Sequence, residues 1–445
     1  MSSSDVFWIF VLSVISVAVF LRPWLGIVLL ILAGALGKFA LFPLFNLDLV
    51  EVAAALTVWS GAIFLLFSRK RIELSPLDIP VALLALAVLF SVLNAPEGWL
   101  VVSGTKFLAL LAVYFICVQL LNTASRVRAT LVAFTIISGA LAALCIAFYL
   151  LNIPTISIGG VQARLYYGAG EGLRIFGFFD QPNIWAQITS IAVPGGLALA
   201  LDTKGWSRWL LGGLTGFSAL CTLMTQSRSA TVGMAVGVGC VLFFMRRRLR
   251  SPLAAALLLV VVASFVVMIQ GSVRQWGRFT QHPVEQEFRT ERRKSRAQVF
   301  VASVKVFLDH PLGVGFGADD RTVGGELGIA AGMSPHNTLL RWAINAGLIG
   351  LIAGIWLMVS QIRNLWRMAR DQMASESGRL AAGVLGAVVA TWIHNMFHAF
   401  LNLSYVWIFF SVASAMVLLR SRSPVAAPHA ATRPHPHYAR IVLPT

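Results

Sequence analysis

SPHNTLLRWAINAGLIGLIAGIWLMVS, residues 334–360, changes character within four positions. Ser334-Pro335-His336-Asn337 is polar and turn-forming, whereas 338–360 is an apolar run long enough to cross a bilayer as a helix. Upstream, 271–333 is polar and rich in arginine. A loop of that length between hydrophobic runs must be held outside the hydrocarbon, where irregular backbone stays solvated, and such loops are where chemistry is kept. The candidate active site is therefore placed at this loop and at the helix that follows it.

The rest of the chain reads as scaffold. Of 445 residues, 58% are apolar and 12% charged, in repeated apolar runs, which excludes a soluble domain and describes a polytopic all-α membrane protein. A net charge of +17 would suggest nucleic acid in a soluble chain. Here most basic residues sit in short loops between runs, so they report orientation and no nucleic-acid partner is expected. Cys117, Cys145, Cys221 and Cys240 all fall inside apolar runs, which argues for core packing over disulfides or zinc. The first residues lack a basic segment and the first run lacks a small-residue cleavage site, so an uncleaved first span is expected.

The apolar runs are 6–21, 25–45, 49–67, 79–93, 101–121, 129–151, 184–201, 206–224, 230–245, 252–270, 338–360, 380–398 and 403–419. They number 13; about 12 transmembrane helices (12–13) are expected, with 6–45 the place where one run is overcounted. Arg69-Lys70-Arg71, Arg126 with Arg128, Lys204 with Arg208, Arg246 to Arg250, Arg363 to Arg379, and Arg420 with Arg422 fall on the cytoplasmic side by the positive-inside rule. The same parity puts the 152–183 loop, the 225–229 turn and the 271–333 loop on the far side, the periplasm in a bacterium. The chain divides into a scaffold over 1–151, spans with an outer loop and a Ser-Arg turn over 152–270, the long loop over 271–333, C-terminal spans over 334–420, and a Pro-, Ala-, Arg- and His-rich tail over 421–445 that is expected to be disordered.

The long loop breaks the orientation rule. Between 274 and 305 it carries Arg274, Arg278, Arg289, Arg292, Arg293, Lys294, Arg296 and Lys305 against Glu285, Glu287 and Glu291. Cations exported against the rule need a use. An anionic ligand at the outer surface supplies one, and arginine suits a diphosphate through bidentate hydrogen bonds. The alternative is a solvated loop touching lipid headgroups. From Arg293 to Asp309 the spacing predicts an amphipathic helix along the membrane surface, with Ala297, Phe300, Val301, Val304, Phe307 and Leu308 on one stripe and Arg292, Arg296 and Ser303 away from its centre. His310-Pro311 ends it, and Gly313, Gly315 and Gly317 give a flexible return.

At the following helix the sequence predicts Ser334 as N-cap, Pro335 at the first position and His336 at the second. A helix N-terminus disfavours imidazolium, so His336 is read as a neutral base beside free N–H groups able to receive phosphate oxygens. Asn337, Arg341 and Asn345 recur at four-residue spacing as a polar stripe entering the membrane, which is costly unless it faces a cavity or a partner. Arg228, in the turn Thr225-Gln226-Ser227-Arg228-Ser229, is read as a ligand contact, with snorkelling the alternative. Arg164, Arg174 and Asn183 are weaker candidates from the other outer loop. His394 and His398 are four apart without a third ligand, so they are read as cavity-facing hydrogen bonders. Asp319-Asp320 with Glu326 is too little for a cation site, and no metal is expected.

The outer-face Gln226-Ser227-Arg228-Ser229 turn, the long loop ending His310-Pro311-Leu312-Gly313-Val314-Gly315, and Pro335-His336-Asn337 with Leu340, Gly347 and Gly350 resemble the O-antigen ligase superfamily, best over 177–350. The resemblance implies about 12 spans and transfer of a glycan from an undecaprenyl-diphosphate carrier to an acceptor hydroxyl at the periplasmic face of the inner membrane. It further implies Arg228 and an arginine of the loop helix, Arg293 or Arg296, on the diphosphate, His336 as base, and no metal or nucleotide cofactor. Asn345 departs from the family pattern, in which glutamate is common. Ligase, repeat-unit polymerase and protein O-oligosaccharyltransferase share this machinery. A transporter or flippase for an anionic lipid or sugar is the competing class, but related halves and midplane charges are missing.

Overall fold

The computed structural model describes residues 13–37, 40–42, 47–68, 71–93, 97–158, 161–167, 174–179, 181–246, 296–329, 333–400 and 402–422. It is a bundle of apolar helices. After a helical stretch at 13–21 come α1 (Leu25–Leu36), α2 (Leu49–Ser68), α3 (Asp78–Leu93), α4 (Gly98–Leu120), α5 (Ala124–Leu150), α6 (Pro182–Asp202), α7 (Trp206–Met224) and α8 (Arg228–Met245). The loop helices α9 (Arg296–Asp309) and α10 (Asp319–Glu326) follow, then α11 (Thr338–Asp371), α12 (Glu376–Asn395) and α13 (Ser404–Arg422). Among the described residues seven helices are long and apolar enough to cross a membrane: α2, α4 (from Leu100), α5, α6, α8, α11 and α13 (to Ser421). The chain is a polytopic all-α membrane protein, as its composition requires.

The helices at the centre are those with small side chains. α6 is buried along nearly its whole length and packs on α5, α7, α8 and α12. α12 and α8 approach so closely at Gly233, Gly237 and Gly386 that a Cβ there would strike the facing backbone. Small residues at a four-residue interval are how membrane helices gain van der Waals contact where no hydrophobic drive exists between them and lipid. Outward, Leu66, Phe67, Leu86, Phe90 and Leu93 stand exposed, an apolar exterior that suits hydrocarbon. Cys117, Cys145 and Cys221 are buried free thiols inside the bundle, in keeping with core packing.

One end of the bundle gathers the short basic loops. Arg128 pairs with Asp202 (3.0 Å) and Glu376 (2.9 Å), Arg379 pairs with the same Asp202, and Arg420 pairs with Asp371 (3.0 Å). Four loops assigned to one side by charge alone thus meet at one face.

The elements differ from the sequence reading in four places. The run 25–45 is not one helix: α1 stops at Leu36 because Gly37 turns to φ 68°, and Ala40–Phe42 (β1) then pairs antiparallel with Leu47–Asp48 (β2). The 152–183 loop folds as two hairpins, Thr155–Ile158 (β3) with Val161–Arg164 (β4) and Tyr166–Tyr167 (β5) with Arg174–Ile175 (β6). α11 runs on to Asp371, since Gln361 to Arg370 continue the helix past the apolar run. The long loop holds α10 besides the expected α9. The run 252–270, Arg289, Arg292 and Arg293, and the tail beyond 422 lie outside the described residues.

Candidate functional site

The site is built where the loop returns into α11. That helix is broken at Gly347 (φ 67°, ψ −161°), and the loop after α9 fills the break with its own backbone. Val314 N donates to Ile344 O (2.8 Å), and Leu348 N donates to Pro311 O (2.9 Å). Two of the groups freed by the break, Ile344 O and Leu348 N, thereby find partners, where an unpaired buried group costs on the order of 1–3 kcal/mol. The crossing leaves no space for side chains: a Cβ on Gly313 would stand 2.7 Å from Gly347 N, and one on Gly347 would stand 2.5 Å from the carbonyl carbon of Leu312. Both glycines also have positive φ.

Asp319 then locks the loop to the helix. Its side chain is fully buried, with Arg341 Nε in an ion pair 2.8 Å from Oδ2 and Asn345 Nδ2 donating to Oδ1 (3.0 Å). Ser334 Oγ donates more weakly at 3.4 Å, and Gly317 N donates to Asn345 Oδ1 (3.2 Å). Burial raises the Asp319 pKa to about 6, with the Arg341 cation pulling against it. Arg341 and Asn345 of the polar stripe do face a partner, and it is the acid that sequence reading passed over. Arg341 is thereby held in an internal ion pair. Asn345 is a neutral donor to that acid.

The onset of α11 corrects the expected cap. Asn337 is the N-cap, its side chain accepting from Leu340 N (3.0 Å), so His336 lies just ahead of the helix and Ser334 belongs to the Asp319 cluster. Asparagine caps as well as serine, and Asn337 Nδ2 also donates to Met396 O (3.2 Å), which fixes the helix start against the turn after α12. The imidazolium of His336 is disfavoured as expected, but from other causes. Partial burial comes first and the Arg296 cation second, while Asp320 opposes both.

Three histidines meet at this face. The His336 and His398 rings lie 6.2 Å apart edge to face, and His398 stacks on His394 at 4.8 Å. His394 is buried, with Nδ1 hydrogen-bonded to Ser229 Oγ (3.0 Å) and Nε2 without a hydrogen-bond partner. Burial first, then the Arg296 cation, the neighbouring His336 ring and the Arg174 cation, push the His398 pKa down to about 3. Arg296, first residue of α9, is therefore within electrostatic reach of both His336 and His398. Arg174 donates from Nε to Thr225 O (3.0 Å), pinning the turn that leads into Arg228, an exposed residue at the start of α8 beside Ser229. Asn183 lies partly buried on the first turn of α6, one turn before Gln187, which accepts from Tyr405 Oη (3.0 Å).

α9 carries Arg296 on a helix that is apolar on two faces. Val299, Ala302 and Val306 pack with Val323 of α10 and Ile344 of α11, while Phe300, Val301 and Leu308 stay exposed. Ser303 sits on the buried face, its hydroxyl satisfied by Val299 O (2.6 Å). The exposed apolar row suits the expected position along a membrane surface.

Sequence reasoning missed Asp319, the break at Gly347 and the meeting of His336 with His398. It also missed a cavity of about 380 Å3 between α4, the 316–320 loop and the first turns of α11, lined by Phe107, Phe316, Asp320, Arg341 and Trp342 among others. Among the described residues no group of three or more His, Cys, Asp or Glu is arranged to hold a metal ion.

No curated protein matches this chain. A chain in a solved structure described as "Structural coordination of polymerization and crosslinking by a peptidoglycan synthase complex" is similar over 79% of this chain and 98% of that one, at 18% identity and a TM-score of 0.43. Residues 213–355, from α7 through the break in α11, match the family described as O-Antigen ligase.

Proposed function

We propose that the protein is a membrane-embedded glycosyltransferase of O-antigen ligase type. It moves a glycan from an undecaprenyl-diphosphate carrier to an acceptor hydroxyl at the periplasmic face of the bacterial inner membrane. The observation that carries this reading is the pairing of His336, biased toward neutral imidazole, with the Arg296 cation at the same face. The imidazole takes the proton of the acceptor hydroxyl as that oxygen attacks the anomeric carbon. The bond from that carbon to the diphosphate oxygen breaks, and the departing charge is met by Arg296 and Arg228, with Arg174 holding the turn of Arg228. Placing donor and acceptor side by side supplies the remainder of the rate. No metal or nucleotide enters this scheme.

Lipid A core, a growing polysaccharide and a protein side chain all present a hydroxyl to the same groups, so ligase, repeat-unit polymerase and protein O-oligosaccharyltransferase remain one class at this level. The test is transfer in membranes carrying His336→Ala or Arg228→Ala. Loss in both is expected, and full activity in both overturns the assignment. Accumulation of lipid-linked glycan only at the inner face after deletion would instead mark a transporter.

A further inference from the structure

The cavity between α4 and α11 differs from the His336 face in its charges. Its two lining cations are already paired, Lys106 with Glu51 (2.8 Å) and Arg341 with Asp319 (2.8 Å). Its lining also holds an acceptor without a donor: Asp320 Oδ1 is buried and makes no hydrogen bond. Among the described residues a phosphate would find no free cation there and would meet a carboxylate. A hydroxyl group would give that oxygen the donor it lacks.

The apolar walls are aromatic. Phe107 and Phe316 have ring centroids 4.6 Å apart, and Trp342 stands edge-on to Phe107 at 6.3 Å. Aromatic faces beside a few convergent polar groups fit a ligand with C–H faces and a hydroxyl rim, in a volume within the usual range for small-molecule sites. The cavity also borders the proposed chemistry. Thr338 Oγ1, on its wall, donates to His398 O (3.1 Å), Arg341 donates to Ala399 O (3.3 Å), and Asp320 acts electrostatically on His336.

We infer that this cavity is a binding site for an uncharged sugar ring, which under the proposed function is the ring of the acceptor glycan, delivered next to His336 on the side away from the diphosphate. The inference rests on the proposed function for the word acceptor, but not for the binding itself.

Binding is read by saturation-transfer NMR on the full-length protein in detergent, with uncharged methyl glycosides as probes and inorganic diphosphate as competitor. Two variants test the cavity: Ser103→Trp, which fills it from α4, and Asp320→Asn, which keeps its size but removes the charged acceptor. Saturation transfer to at least one glycoside in wild type and in His336→Ala is expected, with at least a several-fold loss in both cavity variants and no displacement by diphosphate. Absence of transfer to every glycoside, equal transfer to Ser103→Trp, or displacement by diphosphate would each overturn the site. In reconstituted membranes the same variants should raise the acceptor KM about tenfold or more while leaving donor binding unchanged. The two readings fail separately. Glycoside binding with full transfer in His336→Ala keeps the cavity and removes the enzyme mechanism. Lost transfer in His336→Ala with equal glycoside binding to Ser103→Trp does the reverse.

Discussion

The two ends of the bundle use arginine differently. At the end that gathers the short basic loops, Arg128, Arg379 and Arg420 each meet a carboxylate of Asp202, Glu376 or Asp371. At the opposite end Arg341 has Asp319 and Arg321 has Glu97, yet among the described residues neither Arg228 nor Arg296 forms an ion pair. Under the proposed periplasmic placement of that end, its cations oppose the orientation preference of a spanning chain, so those without an ion pair among the described residues fit a ligand, whereas paired ones need none. The comparison therefore separates arginines that hold the fold from arginines proposed to hold diphosphate, within one protein.

The sharpest way to break it is at the proposed base: His336→Ala should lower transfer about 10²–10⁴-fold with the fold intact, measured as initial rate in proteoliposomes. Arg296→Ala and Arg228→Ala should each cost about 10²–10³-fold if they meet the leaving group, and lysine should restore only part of this because it lacks the bidentate fork. The paired arginine should behave otherwise. Asp319→Ala leaves Arg341 without its buried partner and should lower stability by about 3–5 kcal/mol in unfolding measurements, before any effect on catalysis is read. At the other end, Arg128→Ala should cost about 1 kcal/mol or less and leave transfer unchanged, because that pair is partly solvated. An Arg128 variant with lost transfer, or an Arg296 variant with lost stability and normal transfer, would erase the distinction.

Much of this was legible in sequence, because spans are local. The runs 49–67, 79–93, 206–224 and 403–419 fall within a few residues of α2, α3, α7 and α13, since a local apolar run is enough to place a helix. His336, Arg228 and Arg296 stood out because polar residues are rare here. Asp319 did not, because its meaning lies in Arg341 and Asn345, more than twenty positions on, and an acid in a Gly-rich segment carries no period. The N-cap went to Ser334 instead of Asn337 because both residue types cap, and Asn337 is further held by the Met396 carbonyl in the turn after α12. Gly347 was noted as part of a resemblance. Its reason, a positive φ that admits the Pro311 carbonyl, requires the crossing loop.

The most direct test of the central claim, a neutral imidazole sharing its face with a phosphate-gripping cation, is the pH dependence of kcat/KM in the reconstituted protein. A base with a depressed pKa is already deprotonated at neutral pH, so the account predicts a plateau there and a fall on the acid side with its midpoint below the ordinary histidine value of about 6.5. Because the Arg296 cation contributes to that depression, Arg296→Ala should move the midpoint upward in the activity that remains. A profile without an acid limb, or one whose midpoint ignores Arg296→Ala, would contradict it.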